Sequence, residues 1–196
     1  MILADKKRYV IYAIAMSSLF WQSGCATWPI TYDELDVGRL EGKVLVQWIE
    51  PDLFIFTPDQ NERLKFIRKN GDEIMPQRML TDGGSIPRSV WILRSYSPWG
   101  FAPAFIIHDW LFEVKHCHFS EHEGYTHVDA ARVMAEIMKT MMESKKVAVD
   151  RSTVISMYSA VVSPLAKENW DNGKCIPATN ELFTVKPIRE FELTFP

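Results

Sequence analysis

The chain has 196 residues, 47% of them hydrophobic, enough to bury one substantial core but too few for two large domains. A formal charge of -3 gives no case for nucleic-acid binding, which calls for a basic patch. The seven tryptophans suit a compact domain or one that meets an interface.

The N-terminus reads as a targeting segment outside the fold. Lys6-Lys7-Arg8 forms a positive start, Val10–Trp21 a short apolar stretch, and Gln22-Ser23-Gly24-Cys25 places small residues before a cysteine. The apolar stretch is too short to span a bilayer, which takes about 20 residues. The Ser-Gly-Cys ending resembles a bacterial lipoprotein signal, which implies removal of residues 1–24 and lipidation of Cys25. An uncleaved signal anchor is the alternative. By the same resemblance, Ala26 after the cysteine implies the outer membrane, facing the periplasm, in a Gram-negative host. An exported chain would then have Cys117 and Cys175 left, either as one disulfide or as two buried thiols.

Residues 25–41 read as a linker, with Pro29 and no clear periodicity. A single domain over 42–173 begins with β-like runs at Val44–Ile49, Leu53–Thr57 and Leu64–Ile67. Turn signals separate them at Glu50-Pro51-Asp52, Thr57–Asn61 and Asn70-Gly71-Asp72. This predicts a small antiparallel meander ending near Ile74. Past Pro103 the pattern becomes helical. Ala104–Val114 is apolar nearly all round, the mark of a buried helix. Thr126–Ser144 is amphipathic, with Val128, Ala131, Met134, Ala135, Met138, Met141 and Met142 on one face and Arg132, Glu136, Lys139 and Glu143 opposite. Asp150–Ala166 is a third helix that Pro164 bends or ends. The tail, 174–196, carries Pro177, Pro187 and Pro196 and reads as irregular. Strands first and about three helices after predict one α+β domain.

Within the buried helix stand His108 and Asp109, and burying ionisable groups is costly unless each has a partner. Neighbours on a helix diverge by about 100°, so each is expected to seek its own partner. A His held by a carboxylate, close to a bound cation, can activate water. The same two residues hydrogen-bonded to backbone in a packed helix is the competing reading. Asp129 is the candidate carboxylate, although Thr126-His127-Val128-Asp129 also fits a capping box. Upstream, Thr81-Asp82-Gly83-Gly84-Ser85-Ile86-Pro87 is either a tight turn or a loop offering carbonyls and a carboxylate to a hard cation such as Ca²⁺. All five histidines fall between positions 108 and 127, and His116, His118 and His122 flank Cys117. Their spacing matches no standard zinc pattern, and a solvated loop is the better reading, with transition-metal binding as the other.

Thr-Asp-Gly-Gly-Ser-Ile-Pro, then His-Asp-Trp-Leu-Phe, then Asp129 in a later helix, resemble an uncharacterised bacterial and phage family, domain of unknown function 1353, over roughly residues 42–170. The departures are Val128 before Asp129 and the long His-rich insert at 115–126. The order Asp-Gly-small-Ser, Ala-x-x-x-His-Asp and a later helical Asp is more distantly similar to secreted bacterial phospholipase A2 enzymes. That second resemblance implies His108 as base, Asp129 as its orienter, and Asp82, Gly83 and Asp109 as Ca²⁺ ligands. The paired cysteines which those enzymes carry around the His are replaced here by Phe105, Ile106 and Ile107.

The expectation is a lipid-anchored envelope protein, with membrane lipid as partner and no nucleic acid, hydrolysing an ester such as a phospholipid with a divalent cation. The alternative is a non-catalytic envelope or prophage-encoded lipoprotein acting in binding or exclusion. A metal-binding lipoprotein using the His-rich loop is a third.

Overall fold

The computed structural model describes residues 30–49, 53–81, 98–176 and 187–195. The targeting segment and Cys25 lie outside these residues, as do Asp82 and Gly83.

The sheet is organised around one long strand, β1 (Arg39–Ile49). Its branched and aromatic residues favour extended backbone, and Leu40, Val44, Val46 and Ile49 are buried. Strand β2 (Leu53–Phe56) returns antiparallel along its second half, with Val46 opposite Phe56. Strand β3 (Lys65–Ile67) pairs with its first three residues, with Leu40 opposite Phe66. Strand β4 (Glu73–Ile74) extends β3, and β5 (Met79–Thr81) extends β2 with Phe54 opposite Thr81. The order is β4-β3-β1-β2-β5.

Gly42 sits where β1 leaves β3. Its φ of +93° favours glycine, and a Cβ there would stand 2.1 Å from the Arg63 carbonyl oxygen. The expected meander is present and extends past Ile74 by one short strand, β5.

In two stretches expected to be irregular, the described residues are ordered against the rest of the fold instead. The tail folds into β6 (Arg189–Phe195), which runs antiparallel to β1 from Trp48–Arg189 to Gly42–Phe195. Its alternation of Arg189, Phe191, Leu193 and Phe195 with Glu190, Glu192 and Thr194 was a strand signal; the flanking prolines masked it. In the lead-in, Ile30, Tyr32 and Leu35 are buried around a short 3₁₀ turn, Tyr32–Glu34. Lys139 Nζ donates to the Tyr32 and Leu35 carbonyls at 3.0 and 2.8 Å, and Gly38 N–H donates to Thr140 Oγ1 at 3.0 Å. The described part of the expected linker is therefore packed against the rest of the domain.

Among the described residues four α-helices follow a 3₁₀ turn at Pro98–Phe101. Helix α1 (Ala102–Cys117) is buried almost all round, and Pro103 lies in its first turn, where no intrahelical N–H is lost. Helix α2 (His127–Glu143) buries its methionine face against α1 and the sheet. The expected third helix is two. Helix α3 (Arg151–Val161) starts at the Asp150 cap, and α4 (Pro164–Asn172) starts at the Ser163 cap. Pro164 opens α4 rather than bending α3, because φ near -65° and a missing N–H cost nothing at a helix start. Among the described residues no helix is long and apolar enough to cross a membrane.

The fold is α+β, an antiparallel sheet followed by helices. A disulfide joins Cys117, the last residue of α1, to Cys175 beyond α4, with a Cα–Cα distance of 4.7 Å.

Candidate functional site

The packing of α1 against β5 creates the polar corner. The Thr81 hydroxyl, at the end of β5, donates to Asp109 Oδ2 at 2.5 Å, and the other oxygen, Oδ1, lies 3.6 Å from His108 Nδ1. Asp109 thus has a partner of its own in Thr81, as expected, while His108 also comes near it at a distance beyond hydrogen-bond reach. Their Cα–Cβ bonds diverge, but two rotatable side-chain bonds bring ring and carboxylate back to ion-pair distance. His108 is 7% exposed. Its Nε2 is buried with no hydrogen-bond partner among the described residues. One face of the ring packs on Phe112, centroids 4.8 Å apart, and Phe112 meets Trp170 of α4 edge-on.

Asp129 is not part of this corner. Its Oδ2 accepts from Thr126 N and Oγ1 at 2.8 and 2.6 Å, while Asp129 N–H donates to Thr126 Oγ1 at 3.2 Å. The capping box satisfies donors at the start of α2, and the carboxylate sits favourably at the positive end of the helix dipole. The contact between His108 and Asp129 implied by the phospholipase A2 resemblance is not formed. The capping alternative is what the helix start adopts.

The largest polar network was missed in the sequence. Glu136, assigned to the solvent face of α2, is 1% exposed. Arg68, just after β3, grips it in a two-pronged ion pair, Nε to Oε2 at 2.8 Å and Nη2 to Oε1 at 2.9 Å. Arg68 Nη1 also donates to the Tyr125 hydroxyl at 3.2 Å, and Tyr125 donates to Asp72 in a short hydrogen bond. These bonds, foremost that to Glu136, hold the Arg68 guanidinium more firmly protonated than usual. His122 Nδ1 lies 3.8 Å from Asp72 Oδ1, and its ring meets Tyr125 edge-on, centroids 5.3 Å apart. The His-rich loop is thus anchored at His122 rather than fully solvated. A helical-wheel reading could not find this network, because Arg68 approaches α2 from the sheet.

The histidines do not assemble a metal centre among the described residues. His116 Nε2 is 3.0 Å from the Asn169 carbonyl, and His118 is exposed and ends α1 in a left-handed conformation, φ 55°. Potential ligand atoms do converge at Glu113, Cys117 and Cys175, all within 4.8 Å of one another. The two sulfurs there are joined in the disulfide.

A family model described as "Protein of unknown function (DUF1353)" matches residues 61–161, just over half of the chain. The chain belongs to that family. The DUF1353 segment spans β3 to α3 and so contains Thr81, His108, Asp109, Asp129 and the whole Arg68–Glu136–Tyr125–Asp72 network. The lead-in, all of β1 and β2, and α4 and β6 lie outside it. No curated protein and no solved structure matches the chain.

Proposed function

We propose that this DUF1353 protein is a membrane-anchored hydrolase in which His108 activates water for attack on an ester. Phospholipid is the substrate class that an anchor at Cys25 would present to it. The observation that carries this reading is the setting of His108, with Nδ1 facing a carboxylate and Nε2 buried without a partner among the described residues. A buried polar atom left unpaired costs about 1–3 kcal/mol, which favours a use for it.

The chemistry follows from the ring's orientation. With its proton on Nδ1, toward Asp109, the imidazole keeps a lone pair on Nε2 that can take a proton from water. Asp109 then stabilises the imidazolium, and Thr81 holds Asp109 in place. The attacking oxygen adds to the ester carbonyl, and the imidazolium returns its proton to the departing alkoxide. Asp109 replaces Asp129 as the orienting carboxylate in this reading. A Ca²⁺ ion held by Asp109, Asp82 and the Gly83 carbonyl would polarise the carbonyl. Asp82 follows Thr81 directly in the sequence.

One observation favours a second reading, a non-catalytic envelope or prophage-encoded lipoprotein that binds or excludes a ligand. Asp129, the carboxylate on which the phospholipase A2 resemblance depends, is held in a helix cap.

The test is fatty-acid release from mixed phospholipid vesicles by the full-length chain, with and without Ca²⁺. His108→Ala and Asp109→Asn should each lower the rate by about 10²–10⁴-fold, the usual worth of general acid–base catalysis. Asp129→Ala should leave the rate nearly unchanged once folding is controlled. No release with any divalent cation from folded protein would remove the hydrolase and leave the binding module.

A further inference from the structure

We propose that reduction of the Cys117–Cys175 disulfide converts the end of α1 into a three-ligand site for a thiophilic divalent cation such as Zn²⁺, formed by Glu113, Cys117 and Cys175.

Glu113 stands one helical turn before Cys117, so both side chains share a face of α1. Its Oε1 lies 3.1 Å from Cys117 Sγ. A sulfur in a disulfide has no hydrogen to donate, so this approach leaves a half-buried carboxyl group against a weak acceptor. Glu113 is half-buried, and no ion pair engages it among the described residues. Among the described residues the carboxylate therefore lacks a counter-charge in the oxidised protein, which makes its place there unexplained by stability.

Reduction changes the chemistry of the corner. Each sulfur gains an electron and a proton from a dithiol reductant, which itself closes to a disulfide. Two thiols and a carboxylate then face one another, with all three ligand atoms within 4.8 Å. Tetrahedral zinc has Zn–S bonds of about 2.3 Å and Zn–O bonds of about 2.0–2.2 Å, which set ligand atoms roughly 3.5–4 Å apart. Reaching that spacing requires the two sulfurs to part once the S–S bond opens, with Glu113 already within 4.8 Å of both. Binding releases the two thiol protons, and the cation neutralises three negative charges that would otherwise repel.

The corner is also held together without the disulfide. His116 Nε2 meets the Asn169 carbonyl at 3.0 Å, and Gly173 N–H donates to the same carbonyl at 2.7 Å. Gly173 packs so closely on the His116 ring that a Cβ there would stand 2.0 Å from Cε1. Trp170 adds its edge-on contact with Phe112. These contacts fix the segment two residues before Cys175 against α1, so the ligands stay near one another once the S–S bond opens. Cys175 is exposed, which gives reductant and cation a route in and leaves the fourth position to solvent.

The test uses the full-length chain in detergent, reduced with a phosphine and titrated with Co²⁺ alone, then with Zn²⁺ as competitor. Thiolate-to-cobalt charge-transfer absorption in the near ultraviolet should appear only after reduction, and Zn²⁺ should abolish it. Cys175→Ser should remove most of the band, and Glu113→Gln should weaken Co²⁺ affinity by roughly tenfold or more with the far-UV circular dichroism unchanged. Absence of the band in reduced wild type overturns the site, as does loss of the folded spectrum on reduction. Unchanged affinity in Glu113→Gln overturns the three-ligand assignment.

Discussion

Two buried ionisable groups on adjacent helices meet opposite fates in this protein. Glu136 of α2 is fully answered, with both oxygens gripped by Arg68 and a further approach from Arg132 Nε at 3.4 Å. His108 of α1 is half answered, with Asp109 on one side and nothing among the described residues at Nε2. A satisfied network joins elements. Here it ties β3, the loop before α2 and α2 itself into one body, the expected outcome when burial is compensated. An unsatisfied polar atom lowers stability, and among the described residues His108 Nε2 shares that state with Trp48 Nε1, Thr57 Oγ1, Trp110 Nε1 and His127 Nε2.

Substitutions can break that contrast. Glu136→Ala leaves Arg68 as an uncompensated, largely buried charge and should cost about 3–5 kcal/mol in chemical denaturation. His108→Leu should go the other way, from neutral to about 1 kcal/mol more stable, because it removes a buried unpaired nitrogen while keeping much of the volume. The same variant should release no fatty acid. If His108→Leu instead lost several kcal/mol, the imidazole would be structural and the contrast would collapse.

Smaller effects sharpen the picture. Thr126→Ala removes the cap shared with Asp129 and should cost about 1 kcal/mol in melting experiments, with the rate of ester hydrolysis preserved. A large loss of rate in that variant would bring Asp129 back into the site. Burial, with the hydrogen bond to Asp72 next, pushes the Tyr125 hydroxyl up to about 12. The unfolded chain loses the same proton near pH 10, so the phenol's contribution is complete below about pH 10 and is lost as pH rises toward 12. Tyr125→Phe should therefore flatten part of the alkaline fall in Tm. An identical slope in the variant would place the titrating group elsewhere, Tyr32 being the other phenol pushed up to about 12, by burial and by Glu143.

Much of the fold was legible because local physics agreed with the final packing. The β2 turn signals, the apolar run of α1 and the methionine face of α2 each correspond to an element within a few residues. Where the reading departed, a long-range partner decided. β6 looked irregular because its prolines lie beside it, and its strand state depends on β1, more than a hundred residues away. Tyr32 and Leu35 looked like linker because their anchors are on α2. Glu136 looked solvent-facing because the wheel cannot register an arginine arriving from the sheet. The candidate site divided along the same line. His108 and Asp109 stood out as polar residues in an apolar run, and Thr126 and Asp129 stood out as a capping box.

By itself, the sequence determined which segments could be strand or helix, where α2 begins, and that His108 and Asp109 would sit in an apolar helix at a cost. Those are matters of dihedral preference, periodicity and transfer free energy, all local. The tertiary structure alone decided who answers whom: Thr81 for Asp109, Arg68 for Glu136, Cys175 for Cys117, and no one for Nε2 of His108 among the described residues. Hydrogen bonds and ion pairs act over about 3–4 Å, and only the packed chain sets such distances between residues far apart in sequence.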